Sequence, residues 1–185
     1  MEAVVRVGVT VTFLRMDRPP ADPARLFPPD AVPVRVAPCS VLFYRYLYGN
    51  VGAAHVWWLR RAASDAELEA LLRQPEVAIT ALYVGGEPYG FYELDARGWP
   101  DVNISYFGLM PHAVGRGLGP VFLRHAIDTA WASGARGMTV NTCTADSPRA
   151  LPTYLRAGFR PVRHVREVWN VPVRLGLKIP PGLQV

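Results

Sequence analysis

"VGRGLGPVFL", residues 114–123, decides the reading of the fold: three glycines on alternate positions run straight into apolar residues at helical spacing. A glycine-rich turn feeding a helix leaves main-chain N–H groups free at the positive end of the helix dipole, and both features suit a phosphate. Two nucleotide motifs fail here. The triphosphatase loop needs Lys and then Ser or Thr after its last glycine, whereas Pro120-Val121 follow Gly119. The dinucleotide fingerprint needs a third glycine at position 120, and the strand before the turn is the third of an antiparallel run, not the first of a βαβ unit. Against any ligand stands a steric reading, in which the glycines let the turn pack tightly.

Beyond the turn, "GLGPVFLRHAIDTAWASG" places Leu123, Ala126, Ile127, Ala130 and Trp131 at the spacing of a helix with one buried face, with Arg124 and Asp128 four apart on its wet side. "GMTVNTCT" reads as a strand, and "DSPRALPTYLRAGF" as a helix capped by Gly158. Pro152 leaves that helix two readings, a kink or a late start at Pro152 itself. Upstream, "EVAITALYVGG", "EPYGFYELDA" and "DVNISYFGLM" are β-rich runs with short connections, which imply antiparallel neighbours. "SDAELEALLR" carries a capping box at Ser64 and Glu67, and "CSVLFYRYLYGNVG" predicts a helix ending near Gly49. The six prolines of "DRPPADPARLFPPDAVP" predict a loop, the valines of "AVVRVGVTVTFLRM" a strand, and the tail from Arg160 one or two more strands. This order predicts a mixed α/β fold, with a mostly antiparallel central sheet flanked by helices in a single domain over residues 1–185.

With 185 residues, half of them hydrophobic, the chain has enough apolar surface for a substantial core. A net charge of +5 suits a polyanionic ligand, but the basic residues are scattered and form no block that would argue for nucleic acid. No run is long enough to span a membrane, and no secretory signal opens the sequence, so a cytoplasmic protein is expected. Cys39 and Cys143 lack partners at metal-ligand spacing, and His55, His112, His125 and His164 match no metal signature, so no metal is expected. Cys143 reads as a buried inert thiol before it reads as a nucleophile.

The stretch from Ile104 to Phe159 resembles the GNAT superfamily of N-acetyltransferases. The family's Gln/Arg-x-x-Gly-x-Gly/Ala signature falls on Val114-Gly115-Arg116-Gly117-Leu118-Gly119. Its later Asn, Ala, Leu-Tyr and Gly-Phe correspond to Ser147, Ala150, Thr153-Tyr154 and Gly158-Phe159. The departures are Val114, where Gln or Arg is usual, Ser147, where Asn helps hold the pantetheine arm, and Pro152. The resemblance implies acetyl-CoA as cosubstrate, its pyrophosphate on the main-chain N–H groups of Gly115, Arg116, Gly117, Leu118, Gly119 and Pro120. It puts the pantetheine along a strand edge at Phe107 and Leu109, where two strands splay, with Ser147 and Tyr154 alongside. Arg116 has two readings, a direct phosphate contact or a solvated loop residue.

The resemblance further implies direct attack of an amine on the thioester through a tetrahedral intermediate, with the Leu109 amide as an oxyanion donor. Tyr154 matches the family's acid, against a reading as a core aromatic. Many relatives carry a Glu as base where this chain has Asn103, which cannot take a proton. Glu93 is the nearest carboxylate candidate for base, against a solvated or salt-bridged strand residue. The acceptor expected is the primary amine of a small molecule, bound among Phe43, Tyr44, Tyr46, Tyr48, Trp57 and Trp58, with Arg45 to meet a carboxylate. The alternatives are a catalytically idle acyl-CoA sensor and a protein or peptide N-acetyltransferase, and a homodimer is compatible with the sequence.

Overall fold

The computed structural model describes residues 2–185. In chain order the elements are β1 (Val4–Met16), β2 (Ala31–Val36), α1 (Val41–Val51), α2 (Leu59–Ala62), α3 (Asp65–Leu72), β3 (Val77–Val84), β4 (Glu87–Asp95), β5 (Asp101–Leu109), α4 (Leu118–Ala132), β6 (Gly137–Cys143), α5 (Ala150–Arg156) and β7 (Arg160–Pro172). The strands form one seven-stranded sheet in the order β2-β3-β4-β5-β6-β1-β7. Every neighbouring pair is antiparallel except β5 and β6. The mixed α/β fold with a mostly antiparallel sheet is therefore as expected from the sequence.

Local chemistry accounts for most boundaries. Ser64 accepts from the Glu67 N–H while the Glu67 carboxylate accepts from the Ser64 N–H, the reciprocal capping box that starts α3. Ser40 caps α1 through the Phe43 N–H at 3.2 Å. That helix runs through Gly49 and stops at Gly52, where any Cβ would strike Trp57. The proline-rich stretch is not all loop, because Ala31, Val32 and Pro33 belong to β2. As an edge strand, β2 can hold a proline whose missing N–H faces no partner. Pro152 neither kinks α5 nor starts it: the helix begins at Ala150 and Pro152 lies in its first turn, where N–H groups have no intrahelical acceptor. Gly158 closes α5 at φ +101°, and Phe159 N–H returns to the Tyr154 carbonyl at 3.1 Å. The tail forms one strand of 13 residues.

Two features set the middle of the sheet. β1, first in sequence, lies between β6 and β7, and Arg15 on it reaches over β6 to Asp101 at the start of β5, at 2.5 and 3.1 Å. Gly137 makes room for that crossing, since a Cβ there would collide with both partners. In the pairing of β4 with β5, Glu93 faces Tyr106 and Leu94 faces Ile104, so Ser105 is the extra residue of a β-bulge.

Under the sheet, α4 buries Phe122, Leu123, Ala126, Ile127 and Ala130 in the main core, with Arg124 paired to Asp128 at 2.7 Å outside it. A smaller cluster of Val7, Val9, Val11, Val56, Ala145 and Val171 takes the C-terminal tail through Leu177, Ile179 and Leu183. The core also contains an ion pair. Glu93 is completely buried, Arg60 donates to it at 2.8 Å, and the Tyr44 hydroxyl donates to its other oxygen at 2.5 Å. Removing one partner of such a pair leaves a largely buried charge without compensation. Glu93→Gln should therefore lower the unfolding free energy by about 3 kcal/mol, read as a lower urea midpoint at unchanged slope.

Candidate functional site

The parallel pairing of β5 with β6 covers only Asp101–Ile104 against Gly137–Val140. Beyond it the strands diverge at the Ser105 bulge, and the stretch of β5 from Ser105 to Leu109 has no strand partner on the β6 side. A cleft of about 970 Å³ opens into this gap. Its walls come from the β5 edge, the glycine turn, α5, the loop after β6, the segment between α1 and α2, and the faces of β1 and β7.

At the turn, Gly115 and Gly117 have φ of +88° and +77°, and a Cβ built on either would meet no atom within 4 Å. Tight packing therefore does not require these glycines; the left-handed backbone does. Gly117 is the N-cap of α4, so the amides of the first turn start at Leu118 and Gly119. Gly115, Gly117, Gly119 and Pro120 line the cleft. Pro120 has no N–H to offer, which corrects its place among the expected main-chain donors. Arg116 turns away from the cleft: its guanidinium donates to the Tyr89 hydroxyl at 3.1 Å and lies 5.5 Å from that ring's centre. Leu118 buries its side chain in the core. The guanidinium groups on the cleft lining are those of Arg149 and Arg156, at the two ends of α5.

Phe107 and Leu109 line the β5 edge of the cleft, and Tyr154 faces them from α5, edge-on to Phe107 at 6.4 Å between ring centres. Burial, and after it the charge of Asp146, raises the Tyr154 phenol above its ordinary range. Ser147 also lines the cleft, but its hydroxyl accepts from the Arg149 N–H at 3.3 Å and so helps shape the turn into α5. Cys143 lies nearby, and burial with the Asp146 charge pushes its thiol up to about 12, far from a reactive thiolate.

The carboxylate expected as base is not in the cleft. Glu93 is held by Arg60 and Tyr44 behind α1 and contributes nothing to the cleft lining. Asp146, in the loop between β6 and α5, lines the cleft instead. Trp57 Nε1 donates to its Oδ1 at 3.1 Å, while the Thr142 hydroxyl and the Cys143 N–H donate to Oδ2 at 2.9 and 3.0 Å. A second cleft carboxylate, Glu167 on β7, accepts from Trp169 Nε1 at 2.7 Å. Asp146 stands one residue before a position singled out in the sequence, and a polar residue at the head of a helical stretch was its only local signal. Glu167 and Trp169 had none.

Of the aromatic residues expected around the acceptor, Tyr48, Trp57 and Trp58 do line the cleft. Tyr44 is locked to Glu93, and Phe43 stacks on Tyr46 at 6.2 Å, away from the lining. Arg45 is taken by Asp65 and by the carbonyls of Arg60 and Ala63, so it meets no ligand in the cleft. His55 lines the cleft, whereas His125 and His164 bond to Tyr92 and Thr12, and His112 sits against the Tyr89 ring. Among the described residues, no three His, Cys, Asp or Glu side chains gather as a metal site would need. Nor is any described helix long and apolar enough to cross a membrane.

Comparison with known proteins agrees with this geometry. No curated protein matches the chain. Among solved structures, a GCN5-related N-acetyltransferase from Sphaerobacter thermophilus superposes with a TM-score of 0.62 at 20% identity, over 92% of this chain and 53% of its own. A GCN5-related N-acetyltransferase from Kribbella flavida gives 0.61 at 18%, over 88% and 60%. A tandem GNAT protein from the clavulanic acid biosynthesis pathway gives 0.64 at 15%, over 91% and 55%. The chain thus spans little more than half the length of these relatives. Residues 45–159, from α1 to the Gly158-Phe159 close of α5, match the Acetyltransferase (GNAT) family, and the chain belongs to that family.

Proposed function

We propose that the protein is an acetyl-CoA-dependent N-acetyltransferase that acetylates the primary amine of a small molecule. One arrangement supports this reading above the rest: an unpartnered strand edge, a left-handed glycine turn at a helix N-terminus, and a buried tyrosine face one another across a single cleft. A coenzyme A ligand fits the residues present. The amides of the turn and of Leu118 and Gly119 would hold its pyrophosphate, and Arg149 and Arg156 on the same cleft lining would offer further positive charge to phosphate. The main-chain groups of Phe107 and Leu109 suit an extended amide-bearing arm, as strand addition does. Acetyl-CoA, when bound, supplies the thioester that an amine attacks.

The remaining chemistry belongs to the chain's own residues. Asp146 is the cleft carboxylate nearest in sequence to Tyr154, and its Oδ1, bonded only by Trp57, can accept a proton or hydrogen bond from an amine. Tyr154 keeps its proton across the neutral range, because its phenol is raised. A free phenol titrates near ~10 and a thiol near ~8.5, so full transfer to a thiolate is already uphill by about 2 kcal/mol before that rise. Tyr154 therefore serves as a hydrogen-bond donor to a leaving sulfur. A donor aimed at developing charge in a dry site typically contributes about tenfold or more to the rate.

Screening amines with acetyl-CoA for thiol release tests the reading directly. Turnover of at least one small amine is expected; acetyl-CoA binding with no release on any acceptor would reassign the protein as an acyl-CoA sensor. Tyr154→Phe should lower kcat at least about tenfold while the Kd for acetyl-CoA stays within about twofold. Asp146→Asn should raise the amine KM about tenfold or more, with acetyl-CoA affinity likewise kept.

A further inference from the structure

We infer that the acceptor is an aliphatic diamine, two ammonium groups joined by a short apolar chain, and that Glu167 holds the nitrogen that does not react. The inference rests on the N-acetyltransferase reading above, with Asp146 as the partner of the reacting amine.

The cleft lining carries both signs of charge: Arg149 and Arg156 flank α5, Asp146 lies in the loop after β6 and Glu167 lies on β7. Two further arginines near its aromatic walls are engaged elsewhere. Arg60 lies 5.4 Å from the Tyr106 ring centre but donates to Glu93, and Arg163 stacks on Phe13 at 4.2 Å without lining the cleft. Two carboxylates that face one cavity, neither of them in an ion pair among the described residues, favour a ligand with positive charge over one with a carboxylate.

The same cleft is lined by the aromatic side chains of Phe13, Trp57, Trp58, Tyr106 and Trp169. Aromatic faces pack methylenes and attract ammonium groups. Both carboxylates are oriented by indole donors, Asp146 by Trp57 and Glu167 by Trp169, and each keeps acceptor capacity beyond those bonds. Their spacing follows from the sheet. Cys143 pairs with Val11 and Glu167 with Val9, on opposite sides of β1, and Asp146 is bonded to the Cys143 amide. Strand spacings of about 4.8 Å and rises of about 3.3 Å put the Cα atoms of Cys143 and Glu167 roughly 12 Å apart. Two ammonium groups on a chain of about four to six carbons, with a hydrogen bond at each end, span such a gap.

Glu167, Trp169 and Phe13 all lie outside residues 45–159, the segment that matches the family. The wall that would read the second nitrogen therefore lies outside the segment matched by the family, while the glycine turn and Tyr154 lie within it.

The test compares 1,5-diaminopentane, pentylamine, 5-aminopentanoate and 2-phenylethylamine on the full chain, by acetylation kinetics and by calorimetric binding in the presence of coenzyme A. The expected kcat/KM for the diamine exceeds that for pentylamine at least tenfold, with 5-aminopentanoate lowest. In Glu167→Gln the diamine should fall to the level of pentylamine in both kcat/KM and Kd, while pentylamine stays within twofold. Equal use of pentylamine and diamine, better use of 2-phenylethylamine, or a parallel loss of both amines in Glu167→Gln would each overturn the diamine subsite. If no amine is acetylated yet the diamine binds through Glu167, the subsite stands and the N-acetyltransferase reading falls.

Discussion

The divergence of β5 from β6 after Ile104 and Val140 is the constraint on which the rest of the molecule depends. A continuous parallel pairing would satisfy every main-chain group of β5 and leave no edge for a ligand. Two devices prevent it. The Arg15–Asp101 clamp, passing over Gly137, fixes the paired end. The Ser105 bulge then redirects β5 while β4 continues to support its other side. The polar groups left over at that edge would be costly if buried dry, and in an open cleft they are ready donors and acceptors. The glycine turn and α4 follow directly from the end of β5, so the same divergence aims a helix N-terminus at the opening.

Carboxylates in this chain illustrate how environment assigns a role. Glu93 points into the core, where Arg60 and Tyr44 take up its oxygens, and its work there is structural. Asp146 is also well bonded, but at the rim of a cavity, with its charge felt by Tyr154 and Cys143. Asp146 thus helps keep the facing phenol and thiol protonated. Burial is the larger cause in both cases, and the charge of Asp146 adds to it.

The local elements were legible because local chemistry sets them. The capping box at Ser64, the apolar stripe of α4 and the glycine close of α5 each need only a few adjacent residues. The glycine turn and the tyrosine that share the cleft were legible for the same reason, since Gly115 to Gly119 and Tyr154 sit in one continuous stretch. What escaped depends on topology. Glu93 lies on the strand beside that of Asn103, and only its burial behind Arg60 separates ion pair from catalyst. Glu167 and Trp169 enter the cleft because β7 pairs with β1 and β1 with β6, and no spacing in the sequence encodes that order. The strand at Pro33 was hidden by composition, because proline marks a loop everywhere except at an edge.

The placement of β1 also determines how rigid the β7 wall of the cleft is. β1 pairs with β7 along nearly its whole length, from Val4 opposite Pro172 to Arg15 opposite Arg160, and with β6 on its other side. The chain end then folds back on it, with Val185 N–H bonded to the Arg6 carbonyl and the Val185 side chain filling the space beside Gly8. Phe13, Glu167 and Trp169 are thus carried by main chain hydrogen-bonded in a sheet, while Trp57 and Trp58 come from the connection between α1 and α2. A wall of this kind has already lost its conformational freedom on folding, so little ordering remains to oppose a ligand. The charge on the β7 side of the cleft is therefore held at a fixed position by the sheet, while the two tryptophans are carried by a connection outside it.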